Sequence, residues 1–338
     1  KIINLLKKKF KLDTVCLKKD KLNINEKNLI SFKHPHFLIK LIYCLVSIFK
    51  VEPIQFGLFY SGEMMQFLKN NANNYDYLFF YHIRSSQYLP VDFNGKTILE
   101  MGDLYSDNYF QSYKYLNFFN PLKYIYFLES LLIKRIEKKI FNNFDKVTLF
   151  SKRESNKIIK DYTNKVHQID WSIDQVKNIY SFSKKSHRIL FVGNLNYLPN
   201  LLACKDFIKN VFPKLKKIWP EVKFCIIGDI SKFRKLFLLK KKDIEVLGQK
   251  KNISIYVKNS LCGLANLKVA TGVQGKVLTY MSHGLPVICS SNVAKNFGTS
   301  VLIYKENSDL INKLISLKNS KVKSNLYSKK SIKFSKKF

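Results

Sequence analysis

Runs typical of buried strands alternate with runs typical of amphipathic helices along most of this chain. In the second half the alternation is regular, because each apolar run is followed by a stretch with helical spacing. A parallel sheet needs a crossover between consecutive strands, and that crossover is usually a helix. The pattern therefore predicts an α/β fold with parallel sheets. The predicted strands of this half are 188–193, 222–228, 244–247 and 286–290, and the predicted helices are 200–218, 252–258 and 276–282.

The first half shows the same alternation, with predicted strands at 13–17, 75–81, 96–101 and 146–150 and a long amphipathic helix at 121–144. From about 166 to 187 the pattern lapses into a mixed polar stretch, as expected of a linker. A chain of 338 residues suits two domains of ordinary size. We predict a first domain at 1–165, a linker at 166–187, a second domain at 188–312 and a basic C-terminal tail or helix at 313–338. Two doubly wound domains in tandem are expected to face a cleft and to bind ligands beyond the carboxyl ends of their strands.

The chain is strongly basic, with 59 Lys and Arg against 24 Asp and Glu and a formal charge of +35. Its 46% hydrophobic and 14% aromatic residues exclude a disordered polycation. The lysines are dispersed, and Asn, Ile and Tyr are abundant too, as in proteins from AT-rich genomes. This composition indicates mainly a solvated surface. The alternatives are an anionic membrane or substrate and, third, nucleic acid, although neither zinc-finger spacing nor a ribonucleoprotein aromatic signature accompanies the charge.

Two further features concern the redox compartment of the protein and its relation to a membrane. The six cysteines form no C-x-x-C pair and most of them lie in apolar runs, which predicts buried free thiols in a reducing compartment. The longest apolar stretch, 37–49, has 13 residues and contains Lys40, so it is shorter than the ~20 residues that span a bilayer. It predicts either a buried helix or an interfacial one.

Two loops of the second half have the chemistry of an anion site. Gly193 ends a predicted strand, where a glycine lets a phosphate or a sugar approach the backbone, although a plain strand-to-helix turn would look the same. The segment from Gly272 to Gly275 opens a predicted helix, whose free N–H groups and dipole attract anions. Lys268 and Lys276 flank this segment. They could neutralise a diphosphate, or they could be ordinary surface lysines.

The windows ILFVGNLNYLPN, VFPKLKKIWPEVKFCIIGD, IEVLGQKKNISIYVKNS and NLKVATGVQGKVLTYMSHGLPVICS together resemble the donor-binding domain of retaining GT-B glycosyltransferases. They are most similar to the bacterial sugar transferases of exopolysaccharide (PEP-CTERM-type) gene clusters, of the glycosyl transferases group 1 kind. In the first half, EMGDLYS at 100–106 and FDKVTLFS at 144–151, with Glu129 and Glu137, resemble the acceptor domain of that group. The resemblance covers about 51–297.

This resemblance implies a GT-B fold and a hexosyltransferase that uses a nucleotide-diphosphate sugar, retains the anomeric configuration and needs no metal. It also implies a saccharide or lipid-linked acceptor in cell-surface polysaccharide or glycolipid synthesis, and a cytoplasmic location with peripheral contact to an anionic membrane. No nucleic acid is expected as a partner. The implied catalytic residues are His82, Arg84 and Asp103. The implied donor-binding residues are Gly193, Asn194, Gly228, Asp229, Gln249, Lys250, Lys268, Gly272, Val273, Gln274, Lys276 and Thr279.

From the residues alone, His82 could equally be a partly buried histidine, Arg84 a surface arginine and Asp103 a cap. The sequence also departs from the family. Thr271 and Thr279 stand where many relatives carry two glutamates, the second of which binds the donor ribose. The usual Asn-Gly-Val-Asp is replaced by the segment 170–174, and the family's opening strand would precede Lys1, so the first domain is expected to lack it. The alternatives are a catalytically degenerate sugar-nucleotide-binding partner of the same fold and a basic nucleic-acid-binding protein.

Overall fold

The computed structural model describes residues 3, 6–18, 28–174, 176, 180–231 and 243–338. Residues 175 and 177–179 of the predicted linker therefore lie outside the described residues. The chain divides into two compact units. Unit 1 consists of 1–109, 124–149 and 155–167, and unit 2 of 110–123, 150–154 and 168–338.

The described residues form twelve strands in three sheets. The strands are β1 Thr14–Lys18, β2 Leu29–Lys33, β3 Tyr77–Tyr81, β4 Lys96–Gly102, β5 Lys146–Leu149, β6 Val166–Gln168, β7 Arg188–Val192, β8 Lys223–Ile227, β9 Ile244–Val246, β10 Ser260–Ala265, β11 Val287–Ser290 and β12 Leu302–Tyr304. The helices are α1 Phe37–Phe49, α2 Ile54–Leu58, α3 Gly62–Asn71, α4 Tyr105–Tyr115, α5 Leu122–Asn143, α6 Lys152–Ile158, α7 Leu198–Asp206, α8 Phe212–Ile218, α9 Ser254–Lys258, α10 Gly275–Ser282, α11 Ser291–Ala294, α12 Asn307–Asn319 and α13 Lys321–Ser335.

Unit 1 is built on a four-stranded sheet with the order β3-β4-β5-β6. Strands β3, β4 and β5 are parallel neighbours, and β1 and β2 form a separate parallel pair. The buried stripe of α5, which includes Ile133 and Ile140, belongs to the same hydrophobic cluster as Leu99 of β4 and Val147 of β5. Because parallel strands end at one edge of a sheet, the residues after β3 and β4 lie side by side.

Unit 2 is built on a six-stranded sheet with the order β12-β11-β10-β7-β8-β9, in which every neighbouring pair is parallel. The central strands β10 and β7 are largely or wholly buried, and their continuous apolar runs are typical of a sheet covered on both faces. The fully buried Phe191, Phe224 and Trp219 belong to the core of this unit. The predicted α/β class with parallel sheets is confirmed.

Most of the predicted elements form within a residue or two of their expected ends, and 321–335 of the C-terminal stretch is helical. The predicted helix at 200–218 is interrupted by a π-helical turn at Phe207–Val211, which separates α7 from α8. Five of the six cysteines are buried and all six are free thiols. Within the described parts of the chain, no helix is both long and apolar enough to cross a membrane.

The interpretation of 37–49 as a buried helix is wrong. The segment is helical, as expected, but only Cys44 and Ser47 of α1 are buried. The period of an apolar run predicts a helix, whereas its burial depends on which neighbours the fold supplies.

Candidate donor-binding site

Three loops of unit 2 meet beyond the carboxyl ends of β7, β8 and β9. The backbone N–H of Gly193 donates to the carbonyl of Ile227 (2.9 Å), and that of Leu195 donates to the carbonyl of Asp229 (2.8 Å). The N–H of Gly228 donates to Gly248 O (3.0 Å), which brings the loop that carries Gln249 and Lys250 to the same edge. The structure therefore places Gly193, Asn194, Gly228 and Asp229 together and puts the exposed Gln249 and Lys250 next to them.

The close approach of these loops requires a glycine at position 228. Its φ is +154°, and a Cβ there would lie 1.9 Å from Gly193 O. Any side chain would thus push the two loops apart. Asn196 closes the same loop, because its Nδ2 donates to the Asp229 carboxylate (3.0 Å) and its Oδ1 accepts from Ser231 N (3.1 Å).

Lys276 supplies the positive charge beside this edge. Its Nζ donates to Asn200 Oδ1 and lies 4.3 Å from the centre of the buried Phe191 ring. A Cβ on Gly193 would lie only 3.1 Å from that Nζ. Among the described residues, no carboxylate lies within ion-pair distance of the amine. Removal of the amine from water lowers the pKa of Lys276 to about 7, although part of its side chain remains exposed.

The segment that precedes α10 has the expected helix-entry geometry. Gln274 is the N-cap residue with an extended backbone, and Gly272 has a φ of +60°. The Glu154 carboxylate of unit 2 accepts from the N–H of Gly272 (2.7 Å), so an anionic group already occupies one backbone donor of this segment. Val273 packs against the core of the unit.

Two of the predicted donor residues are engaged elsewhere. Lys268 forms a half-exposed ion pair with Asp206 of α7 (3.2 Å). Thr279 donates its hydroxyl to Gly275 O one turn earlier in α10 (2.9 Å), a bond that many helical threonines make. The side chain of Thr279 is shorter than that of a glutamate, and its hydroxyl is engaged in a bond inside its own helix.

Two residues at this edge were missed by the sequence analysis. Asn200 at the start of α7 links the Gly193 loop to Lys276, because its Nδ2 also donates to Asn194 O (2.8 Å). Tyr280 is fully buried, and its hydroxyl accepts from Val192 N (2.6 Å) at the end of β7. Asn200 follows a proline in the first turn of a helix, which could have drawn attention to it; nothing in the sequence marks Tyr280.

In unit 1 the structure places His82 directly after β3, and its N–H donates to Glu100 O of β4 (2.8 Å). Its φ is +71° and its ψ is 145°. Its Nδ1 accepts from Arg84 N (3.3 Å), which leaves the proton of a neutral ring on Nε2. Burial and, second, the charge of Arg84 lower the pKa of His82 to about 3, so the ring is neutral at physiological pH. It is suited to donate a hydrogen bond rather than to exchange protons.

Arg84 and Asp103 also lie at the carboxyl edge of this sheet. The guanidinium of Arg84 packs over the Phe59 ring (4.3 Å), and its Nε donates to Gln55 Oε1 (2.7 Å), so it is not a freely solvated arginine. Asp103 follows β4, and its N–H donates to Met101 O (3.1 Å). The strand order thus brings His82, Arg84 and Asp103 to one edge of unit 1.

Comparison with known proteins concerns the fold and the family of one segment of the chain. Residues 186–319 match the family model described as Glycosyl transferases group 1. A sequence search among curated proteins gives no match.

Among solved structures, the chain resembles a TarM variant from S. aureus in complex with fondaparinux, alpha-GlcNAc-glycerol and UDP, with a TM-score of 0.59 and 11% identity over 79% of this chain and 54% of that one. It also resembles HepE of Anabaena in complex with UDP and glucose (TM-score 0.62, 11% identity, 91% and 81% covered) and trehalose-6-phosphate synthase (TM-score 0.61, 11% identity, 99% and 92% covered). The chain spans about half the length of the TarM chains.

At identities this low, structural similarity establishes the fold alone. The family match concerns residues 186–319, which carry the converging loops. The chain therefore has the GT-B fold with two Rossmann-like domains, and its residues 186–319 form a domain of the glycosyl transferases group 1 family.

Proposed function

We propose that the protein is a glycosyltransferase that moves a sugar from a nucleotide-diphosphate sugar to an acceptor, with retention of configuration. The observation that carries this proposal is the meeting of Gly193, Asn200 and Lys276 beyond β7 in the family-matched domain. A side-chain-free backbone, an amide and an amine that has no carboxylate partner in the described part of the chain are together suited to a diphosphate.

In this proposal the protein acts by positioning and electrostatics. The charged Lys276 and the N–H groups at the start of α10 stabilise the negative charge that develops on the leaving diphosphate. In unit 1, His82 offers a hydrogen-bond donor at Nε2, and Arg84 and Asp103 are the proposed residues of the acceptor side. Gly228, Asp229, Gln249 and Lys250 hold the nucleoside. Because these groups supply the charge, the proposed reaction includes no metal, and we expect chelation with EDTA to leave turnover unchanged.

We further propose a uridine diphosphate sugar as donor and a saccharide or lipid-linked acceptor of bacterial cell-surface polysaccharide synthesis. HepE was crystallised with UDP and glucose, and TarM with UDP, which supports this choice of donor. The proposed location is cytoplasmic, with peripheral contact to the membrane.

The decisive experiment measures UDP-glucose binding by calorimetry and by thermal shift. A Lys276→Met variant should bind about 10–100-fold more weakly, since a charged hydrogen bond contributes about 1.5–3 kcal/mol. Lys258→Met removes an exposed lysine of unit 2 away from this edge and serves as the control. Because the pKa of Lys276 is about 7, the amine loses its charge as the pH rises. The affinity of the wild type should therefore fall between about pH 6 and about pH 8.5, and that of Lys276→Met should not.

If no nucleotide sugar, including GDP-linked ones, binds or shifts the melting temperature, the proposal is wrong. Equal UDP-glucose binding by the wild type and Lys276→Met would mean that this edge is not the donor site.

A second candidate keeps the fold without the activity, and the hydrogen bond of Thr279 inside its own helix favours it. In that case the wild type binds UDP-glucose but transfers no sugar to water or to an acceptor. A Thr279→Glu variant tests whether the missing carboxylate is the cause. A gain in donor affinity and turnover would identify an impaired enzyme, whereas an unchanged, inactive variant would favour a binding partner.

A further inference from the structure

The first helix of unit 1, α1, exposes apolar side chains on most of its surface. Nine of its 13 residues are large apolar side chains that are each at least 40% exposed, and Phe49 reaches 86%. An exposed apolar surface of this kind marks a protein-binding or membrane-binding site, because it is costly to leave in water. The nine residues are Phe37, Leu38, Ile39, Leu41, Ile42, Leu45, Val46, Ile48 and Phe49.

The chain segment that contains α1 has charged side chains of one sign only. From residue 28 to residue 51 the chain has no Asp or Glu, whereas Lys33, Lys40 and Lys50 lie before, within and directly after the helix. Each lysine near an anionic lipid surface contributes roughly 1 kcal/mol of attraction. Two copies of this face would bring like charges together, whereas an anionic bilayer is complementary to both the apolar surface and its charge.

A groove beside α1 also combines apolar walls with lysines. Its volume is about 520 Å³, and its walls include Ile42 and Val46 of α1 and Ile136 and Ile140 of α5. Lys50 and Lys139 also line it, together with one carboxylate, that of Glu52. Apolar walls with two lysines suit an acyl chain and its phosphate headgroup.

We propose that α1 is a membrane-docking helix, which lies in the plane of an anionic bilayer with its exposed apolar face at the boundary between headgroups and acyl chains. At ~1.5 Å per residue its 13 residues measure about 20 Å, too short to span the ~30 Å hydrocarbon core but sufficient for an interfacial helix. The inference deepens the proposed function, since it assigns the membrane contact to a named element, but its physical basis is independent of sugar transfer.

The test uses the full chain and vesicles of phosphatidylcholine, either alone or with phosphatidylglycerol. A triple variant, Leu38→Ser, Leu45→Ser and Phe49→Ser, changes only exposed side chains of α1. The matched control, Val91→Ser, Ile255→Ser and Val322→Ser, changes three apolar residues elsewhere that are at least as exposed. The wild type and the control should bind the anionic vesicles and be released by high salt. The α1 variant should bind them about 10–100-fold more weakly.

Absence of vesicle binding by the wild type, or equal binding by both triple variants, would overturn the proposal. A dimer in light scattering that the α1 variant converts to a monomer would instead identify a second copy as the partner. UDP-glucose binding is measured on the same preparations, and the α1 variant should retain it in full. Loss of donor binding in every preparation would thus contradict the proposed function, while vesicle binding would still decide the role of α1.

Discussion

At the scale of single residues, His82 combines an unfavourable backbone with a defined chemical role. A φ of +71° with a ψ of 145° is a conformation that residues with a Cβ rarely adopt, and it costs on the order of 1–3 kcal/mol. Strain of this kind persists only where the surroundings enforce it. Here the bonds from His82 N to Glu100 O and from Arg84 N to His82 Nδ1 hold the residue at the end of β3.

Substitution of His82 separates strain from function. His82→Gly and His82→Ala both remove the imidazole, so we expect both to lose most of the transfer activity. Only glycine relieves the backbone, and His82→Gly should therefore be more stable than His82→Ala by about 1–2 kcal/mol. Chemical denaturation measures the difference. Equal stabilities would mean that the positive φ stores no strain, and retained turnover in either variant would remove His82 from the proposed mechanism.

Glu137 gives a pH dependence of stability in unit 1. It is 3% exposed and accepts from Ser106 N (3.0 Å) and Ser106 Oγ (2.5 Å) at the start of α4. Burial raises the pKa of Glu137 to about 7 despite these bonds. Because this value lies above that of the unfolded chain, the folded state binds the proton more tightly. The contribution of Glu137 to stability is therefore present at low pH and declines as the pH rises from about 4.5 to about 7.

A Glu137→Gln variant should lose this dependence, because its amide keeps an oxygen for Ser106 and does not titrate. Relative to the wild type, the variant should gain up to about 3 kcal/mol between about pH 5 and about pH 8. Glu137→Ala also lacks the titrating carboxyl but leaves a buried N–H without its acceptor, so it should be about 1–3 kcal/mol less stable than Glu137→Gln at both pH values. Denaturant unfolding at the two pH values provides the comparison. Parallel curves for wild type and Glu137→Gln would show that the carboxyl does not titrate in this range.

At the scale of elements, the loops after β7 and β8 depend on one glycine. Gly228→Ala would place a Cβ 1.9 Å from Gly193 O, so we expect unit 2 to unfold or to lose UDP-glucose binding. Gly248→Ala is the matched control, because Gly248 also has a positive φ (+70°) but nothing lies within 4 Å of the added Cβ. That variant should lose only about 1–2 kcal/mol and keep donor binding. Similar losses in both variants would show that the close approach of the two loops is unimportant.

The elements also show what sequence can predict. The regular alternation around β7 and β8 fixed the class of unit 2, because apolar period and turn residues are local properties. Strand β10 was missed, although it is a fully buried strand beside β7, because SLCGLA is a short apolar run with a glycine and no alternation. The carboxyl edge was predicted from the doubly wound α/β pattern, but the contact between Asn200 and Lys276 joins residues 76 positions apart and depends on packing.

At the scale of the whole molecule, the excess of lysine is large, but few of the lysines have a specific proposed role. A dispersed charge acts mainly through solubility and long-range attraction of anions. In our proposals two places give it a specific role, namely the amine of Lys276, which has no carboxylate within ion-pair distance among the described residues, and the acid-free segment 28–51 that contains α1. The charge by itself indicates mainly a solvated surface, and it is the fold and the family match that favour the proposed sugar nucleotide over nucleic acid.

The two units have separate hydrophobic cores, one around β4, β5 and α5 and the other around β7, β8 and β10. A ligand that binds only unit 2 should therefore stabilise unit 2 alone. At a UDP-glucose concentration of about 100 times its dissociation constant, linkage predicts about 2.7 kcal/mol, or roughly 100-fold slower exchange of the amides that open only by unfolding. We expect hydrogen exchange to slow in β7, β8 and β10 and to stay unchanged in β4 and β5. At the same UDP-glucose concentration, exchange in Lys276→Met should slow by only about 2- to 10-fold, because this variant binds the donor more weakly. Equal protection of both sheets would mean that the two cores unfold together, and protection confined to β4 and β5 would place the donor site in unit 1.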